Sequence, residues 1–140
     1  MLHHDITIKN LVVTLKPTAN SSKGILVDFD LALDLDEVRA VEPLVGSDGS
    51  IAFGILSGKP YTYRHDLESL CYIFLWLAIG NDSEHDHVYE ILEGLLKTSR
   101  LWKWCSMDFR PVGQAKAADM SPLKGFGGIL GEFSADFAPL

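Results

Sequence analysis

Three oxygen-bearing side chains have the types and spacing to do chemistry: Asp5, Asn10 and Asp28. Asp5 and Asn10 lie on a short segment just before the apolar run Leu11-Val12-Val13, and Asp28 falls in a second β-rich run, Gly24 to Phe29. If the two runs pair, the three side chains meet at one end of the pair. Hard divalent cations take such ligands, and Mg²⁺ commonly draws one or two from protein and the rest from water and phosphate. A further carboxylate that is not committed to the metal can accept a proton from an attacking hydroxyl. Asp and Asn at strand ends are also common turn formers, so spacing alone leaves both readings open.

The elements that must position these residues are legible in outline. The stretch from Lys16 to Lys23 carries Pro17, Asn20, Ser21 and Ser22, which is turn chemistry, so the flanking runs predict a β-hairpin. From Asp28 to Asp36 acidic and apolar residues alternate, which would place the carboxylates on one face if the chain is extended. Residues 37 to 62 hold several glycines, Pro43 and Pro60 and no sustained period; so long an irregular segment is usually functional. Helical signals begin at Tyr63, with Asp66 and Glu68 in the first turns. The following residues, Leu67 to Leu77, are apolar nearly all round, which predicts a helix buried on every side. Val88, Ile91, Leu92, Leu95 and Leu96 predict an amphipathic helix over 87–96, and Leu101 to Trp104 and Gly113 to Met120 predict shorter ones. The fold class expected is mainly α with a small β-hairpin.

Composition narrows the partners. At 140 residues the chain is one domain or a piece of one, and 12 basic against 19 acidic residues leave a net charge of −7. That charge disfavours nucleic acid and anionic membranes. Cys71 and Cys105 are too few for a disulfide framework, the N-terminus has no signal-peptide pattern, and the longest apolar run is too short to span a bilayer. A soluble, intracellular protein is expected.

The motifs carry a family resemblance. His3-His4-Asp5-Ile6-Thr7-Ile8-Lys9-Asn10 resembles the catalytic loop of protein kinases, and Val27-Asp28-Phe29-Asp30 resembles the metal-binding motif that follows it. Tyr63-Arg64-His65-Asp66-Leu67-Glu68-Ser69-Leu70 is similar to the start of the central helix of the kinase C-lobe. Together, and in this order, they resemble the fungal-type protein kinases in particular. The resemblance implies a partial kinase domain over 1–140, a C-lobe with the N-lobe absent. It implies Asp5 as the catalytic Asp, Lys9 within reach of the transferred phosphate, and Asn10 and Asp28 as Mg²⁺ ligands that hold ATP phosphates. Asp66 would anchor the catalytic loop from the central helix. Asp30, Gly49 and Ser50 would belong to the activation segment, with Gly49-Ser50 near the substrate site.

Departures from the pattern shape the functional expectation. His4 stands where arginine is usual, Thr7 where the loop lysine is usual, and Asp30 where glycine is usual. Gly54-Ile55-Leu56-Ser57 replaces the element whose Glu would close the activation segment. A glycine-rich phosphate loop, its strand lysine and the helix glutamate are not in this sequence. Kinase catalysis is mostly positioning and electrostatics, so this chain alone is expected neither to hold ATP nor to turn over. The ancestral reaction is phosphorylation of Ser or Thr on a protein substrate. The alternative is a non-catalytic, pseudokinase-like module that docks a partner protein. Uncovered apolar surface is expected to favour self-association and marginal folding.

Blander assignments complete the inventory. His3, His4, Asp5 and Asp28 would suit a Zn²⁺- or iron-dependent hydrolase if the imidazoles faced a metal. His85-Asp86-His87, beside Asp82 and Glu84, reads as a polar helix start. Asp34 and Asp36 read as a solvated face, Cys71 as a small core residue, and Trp76, Trp102 and Trp104 as packing. Ser47 and Ser50 are candidates for phosphorylation by their loop position alone.

Overall fold

The computed structural model describes residues 1–13, 24–34, 49–80, 97–106, 108–122 and 124–137. The fold is mainly helical with one two-stranded antiparallel hairpin. Strand β1, Leu11–Val13, pairs with β2, Gly24–Leu26, in the register Leu11↔Leu26, Val12↔Ile25 and Val13↔Gly24. β-branched residues favour this extended pairing, and the hairpin is the one that the two apolar runs predict. The alternation from Asp28 onward does not continue as a strand. Asp28 adopts a left-handed φ of 64°, and a turn follows in which Ala32 N–H donates to Phe29 O at 2.9 Å. Extended pairing returns only at Leu33, which exchanges main-chain hydrogen bonds with Leu2 at 2.7 and 2.9 Å.

Helix α1, Phe53–Leu56, is a single turn inside the segment expected to be irregular. Helix α2, Tyr63–Gly80, is the longest. Its start is closed reciprocally: His65 N–H donates to Thr62 O, while His65 Nδ1 accepts from Thr62 N–H, both at 2.9 Å. The His65 half is that of a capping box, with an imidazole in place of the carboxylate, while the other half is a main-chain turn. A 3₁₀ turn, Arg100–Trp104, is capped by Ser99 Oγ, which accepts from Leu101 N–H. Helix α3, Phe109–Asp119, is capped by Asp108 and tolerates Pro111 because the ring sits in its first turn. Helix α4 spans Gly125–Leu130, and a 3₁₀ turn, Ala135–Phe137, follows. The helix expected over 101–104 is thus a 3₁₀ turn, and the one expected over 113–120 starts earlier, at Phe109, and ends at Asp119. The expected helix over 87–96 and the His85-Asp86-His87 cluster lie outside the described residues.

One core organises the helices. Tyr72, Leu75, Trp76 and Ile79 of α2 pack against Leu101, Trp104, Val112 and Ile129. Tyr72 and Trp104 meet edge-on at 4.9 Å, and Trp104 Nε1–H donates to Asp119 at 3.0 Å. Arg100 ties the far end together through Glu132 at 3.0 Å and Asp119 at 3.6 Å. The expectation that α2 is buried on every side is overturned. Leu67, Leu70, Phe74 and Leu77 line an exposed face, and Cys71 is exposed beside them rather than in the core. The helix is apolar all round, but the described elements cover that face only in part, through the edge-on contacts of Phe74 with Phe133 and Phe137 at 6.4 and 6.0 Å. Trp76 and Trp104 are core residues as expected, whereas Trp102 is exposed. No helix among the described residues is long and apolar enough to cross a membrane.

Candidate functional site

Asp66, in the first turn of α2, organises the N-terminal segment. Its Oδ2 accepts from His3 N–H at 2.8 Å, and its Oδ1 accepts from His4 N–H at 3.2 Å and from the Tyr61 hydroxyl at 2.6 Å. A carboxylate there also faces the positive end of the helix dipole. His4 needs such restraint, because its φ of 68° is a left-handed conformation that non-glycine residues rarely hold. The Tyr61 ring lies against the His4 imidazole at a centroid distance of 3.8 Å. Burial, and then the hydrogen bond to Asp66, push the Tyr61 phenol well above its ordinary range.

His3 is a structural bridge. Its Nδ1 accepts from Asp5 N–H at 3.3 Å, so the ring proton sits on Nε2, which donates to Val27 O at 3.0 Å. Both ring nitrogens are engaged by main chain. Among the described residues no group of three or more His, Cys, Asp or Glu side chains is arranged to hold a metal ion. An imidazole-rich hydrolase centre at His3, His4, Asp5 and Asp28 is therefore not formed.

The structure brings Asp5, Asn10 and Asp28 to one end of the hairpin. A 3₁₀ turn, Ile8–Asn10, folds the chain back so that Asn10 Nδ2 donates to the Asp5 carbonyl at 2.9 Å and to Asp5 Oδ2 at 3.0 Å. Asn10 is buried, and its carbonyl accepts from Val27 N–H at 2.9 Å, which fixes the neighbouring Asp28 relative to it. Asp28 is exposed, in the left-handed conformation that ends the pairing. With Nδ2 committed to Asp5, Asn10 has its amide oxygen left to offer, and Asp28 adds a carboxylate. Two hard oxygen donors of this kind fit a Mg²⁺-type ion that takes its remaining ligands from phosphate and water. Lys9 is exposed on the same turn, and Asp30 is exposed in the turn after Phe29.

Gly49 and Ser50 are buried, so Ser50 is not exposed on a loop. Ser47 lies outside the described residues. The Gly49 φ is +79°, and a Cβ there would lie 2.8 Å from the Trp76 ring, so glycine is required on both counts. Lys116 of α3, fully buried, donates to the carbonyls of Gly49 and Ile51 at 2.6 and 2.5 Å. Its ammonium also lies 4.0 Å from the Tyr72 ring centroid. Glu68 of α2 accepts from Phe53 N–H at 2.8 Å and from the Tyr72 hydroxyl. The segment 49–53 is thus gripped by its carbonyls on one side and by an N–H on the other. Sequence reasoning missed Lys116 and this use of Glu68. One signal for Lys116 was present: it shares a helix face with Val112, one turn earlier, which is the core face of α3.

Against known proteins, the sequence model of the family described as fungal protein kinase matches residues 1–78, more than half of the chain. The matched stretch contains Asp5, Asn10, Asp28, Gly49, Ser50 and Asp66. No curated protein and no solved structure matches the chain.

Proposed function

Because the chain belongs to the fungal protein kinase family, we propose that it carries the hydroxyl-activating and metal-holding side of a phosphoryl-transfer site on a kinase C-lobe, acting on Ser or Thr of a protein. The observation that supports this most is the Asn10 amide bound at once to the carbonyl and the carboxylate of Asp5. That bond holds Asp5 Oδ2 and leaves the other carboxylate oxygen to accept from an incoming hydroxyl. Asp5 would accept the hydroxyl hydrogen bond, orient the hydroxyl lone pair toward the γ-phosphorus, and take the proton as the new P–O bond forms and the bond to the bridging oxygen of the departing ADP breaks. Asn10 and Asp28 would hold Mg²⁺, which supplies charge neutralisation on the ATP phosphates. Asp66 keeps the loop in place by holding the N–H groups of His3 and His4. Lys9 supplies a nearby exposed cation.

The 140-residue chain by itself is proposed to be catalytically silent. Its sequence contributes no glycine-rich loop and no strand lysine for the α- and β-phosphates. Losing one preorganised donor typically costs about 10²–10³ in rate, and here a set is lacking. The test is phosphotransfer from Mg²⁺-ATP to a generic protein substrate, beside Mn²⁺ titration followed by paramagnetic broadening. Broadening centred on Asn10 and Asp28, lost in Asn10→Ala, is expected without turnover. Turnover of about 1–100 s⁻¹ from this chain alone overturns the silent reading, and broadening that ignores Asn10→Ala overturns the metal assignment. The exposed face of α2 favours a second reading, a non-catalytic module that docks protein.

A further inference from the structure

Tyr61 stands just outside the motifs, yet it touches both parts of the restraint on the residue that precedes Asp5. His4 holds a φ of 68°, a conformation that an L side chain leaves unless it is held there. Its N–H donates to Asp66 Oδ1 at 3.2 Å, at the long end of the range for such a bond. Its imidazole lies on the Tyr61 ring, with centroids 3.8 Å apart and planes tilted by 31°. The Tyr61 hydroxyl donates to that same Oδ1 at 2.6 Å, so one side chain both supplies the ring contact and pins the carboxylate. We propose that Tyr61 is a positioning residue for Asp5: it keeps His4 left-handed and thereby keeps Asp5 on Asn10.

The torsion of an Asp carboxyl group is broad and two-fold, so Asp66 by itself does not settle which way its oxygens face. The Tyr61 hydroxyl settles it, with Oδ2 toward His3 N–H at 2.8 Å and Oδ1 toward His4 N–H. Tyr61 is fixed from behind. The next residue, Thr62, donates its N–H to His65 Nδ1 at 2.9 Å, and the Tyr61 and His65 rings meet at 5.3 Å. In front, Asp5 follows His4 directly. Its N–H donates to His3 Nδ1 at 3.3 Å, and its carbonyl and Oδ2 accept from Asn10 at 2.9 and 3.0 Å. Relaxation of His4 to an ordinary negative φ swings Asp5 relative to His3, and this set of bonds does not survive it. Tyr61 and Asp5 also lie within electrostatic reach: burial raises the phenol most, the Asp66 bond next, and the Asp5 charge adds to both. The role given to Asp5 rests on the phosphoryl-transfer reading, whereas the contacts that Tyr61 holds do not.

The test uses the whole isotope-labelled chain and reads the side-chain amide of Asn10 by NMR, since its shift and water exchange report its bonds to Asp5 without any turnover. Tyr61→Leu, which loses ring contact and hydroxyl, is expected to speed that exchange about tenfold and to move the shifts toward those of a free asparagine. Tyr61→Phe, which loses the hydroxyl alone, is expected to speed it about threefold. Tyr72→Phe is the control: it also takes a buried phenol from a carboxylate, that of Glu68, and so lowers the urea midpoint. It is expected to leave the Asn10 amide unchanged. Phosphotransfer assays bear on the role of Asp5 and not on these signals, so failure of that reading and failure of this proposal are told apart. Asn10 signals that ignore the Tyr61 variants overturn the proposal, and so does Tyr72→Phe moving them as far as Tyr61→Phe does. If Tyr61→Leu does not fold, Tyr61→Phe, which keeps the ring, decides alone.

Discussion

The Lys116 ammonium donates to the Gly49 carbonyl at 2.6 Å, joining residues 67 positions apart in the chain. A buried cation is stable there because two carbonyls and two aromatic faces, Tyr72 and Trp104, replace its hydration. Lys116→Met keeps the apolar stem and removes the donor, leaving both carbonyls short of a charged partner. It is expected to destabilise the protein by about 2–4 kcal/mol, read as a lower urea midpoint. Limited proteolysis should show faster cleavage within 49–53.

Glu68 allows a finer dissection of the same segment. Glu68→Ala strips the acceptor from Phe53 N–H and from the Tyr72 hydroxyl and is expected to cost about 2–3 kcal/mol. Glu68→Gln keeps an acceptor oxygen on the same stem and should cost about 1 kcal/mol or less. Equal losses in chemical denaturation would show that charge, not hydrogen bonding, is what matters at this position.

Gly49 and Gly58 form a matched pair for strain against space. Both have positive φ, +79° and +73°, but a Cβ at Gly58 meets nothing within 4 Å, whereas one at Gly49 lies 2.8 Å from the Trp76 ring. Gly58→Ala should cost about 1–2 kcal/mol from backbone strain alone. Gly49→Ala adds overpacking of about 1–3 kcal/mol and should quench or shift the Trp76 fluorescence, which Gly58→Ala leaves alone.

Alkaline pH should unfold the protein partly through two phenols. Burial, then hydrogen bonding to a carboxylate, raises Tyr61 (through Asp66) and Tyr72 (through Glu68) above the ordinary 10.0. A group whose folded value is raised contributes stability that is whole below the unfolded value and is lost as pH climbs beyond it. Stability should therefore hold up to about pH 10 and fall above it. Tyr61→Phe should flatten that fall while costing about 1–2 kcal/mol at neutral pH, measured as denaturant midpoints across pH.

The hairpin and the helices around Trp104 and Lys116 were legible because β-branched runs and apolar periodicity report local structure. The convergence of Asp5, Asn10 and Asp28 was legible because a hairpin fixes its own ends. Two features were not. The alternation from Asp28 to Asp36 would set the carboxylates on one face if extended, yet over the described part the left-handed Asp28 and the turn after it win, since main-chain pairing with Leu2 reaches only Leu33. The one-sided exposure of α2 was hidden because composition reports hydrophobicity, while burial depends on which neighbours arrive. Lys116 escaped notice because a cation on a core face is explained only by carbonyls from a distant segment.

The main-chain N–H of Ser134 closes on the Ala78 carbonyl at 2.9 Å, and the inner side of α2 is covered by Leu101, Trp104, Val112 and Ile129. The stretch that carries the family's signature therefore cannot be cut out as an independent folding unit. A polypeptide ending at residue 80 would retain every motif and still strip the covering from Tyr72, Leu75 and Trp76, so the tail beyond the motifs is the scaffold that lets them exist.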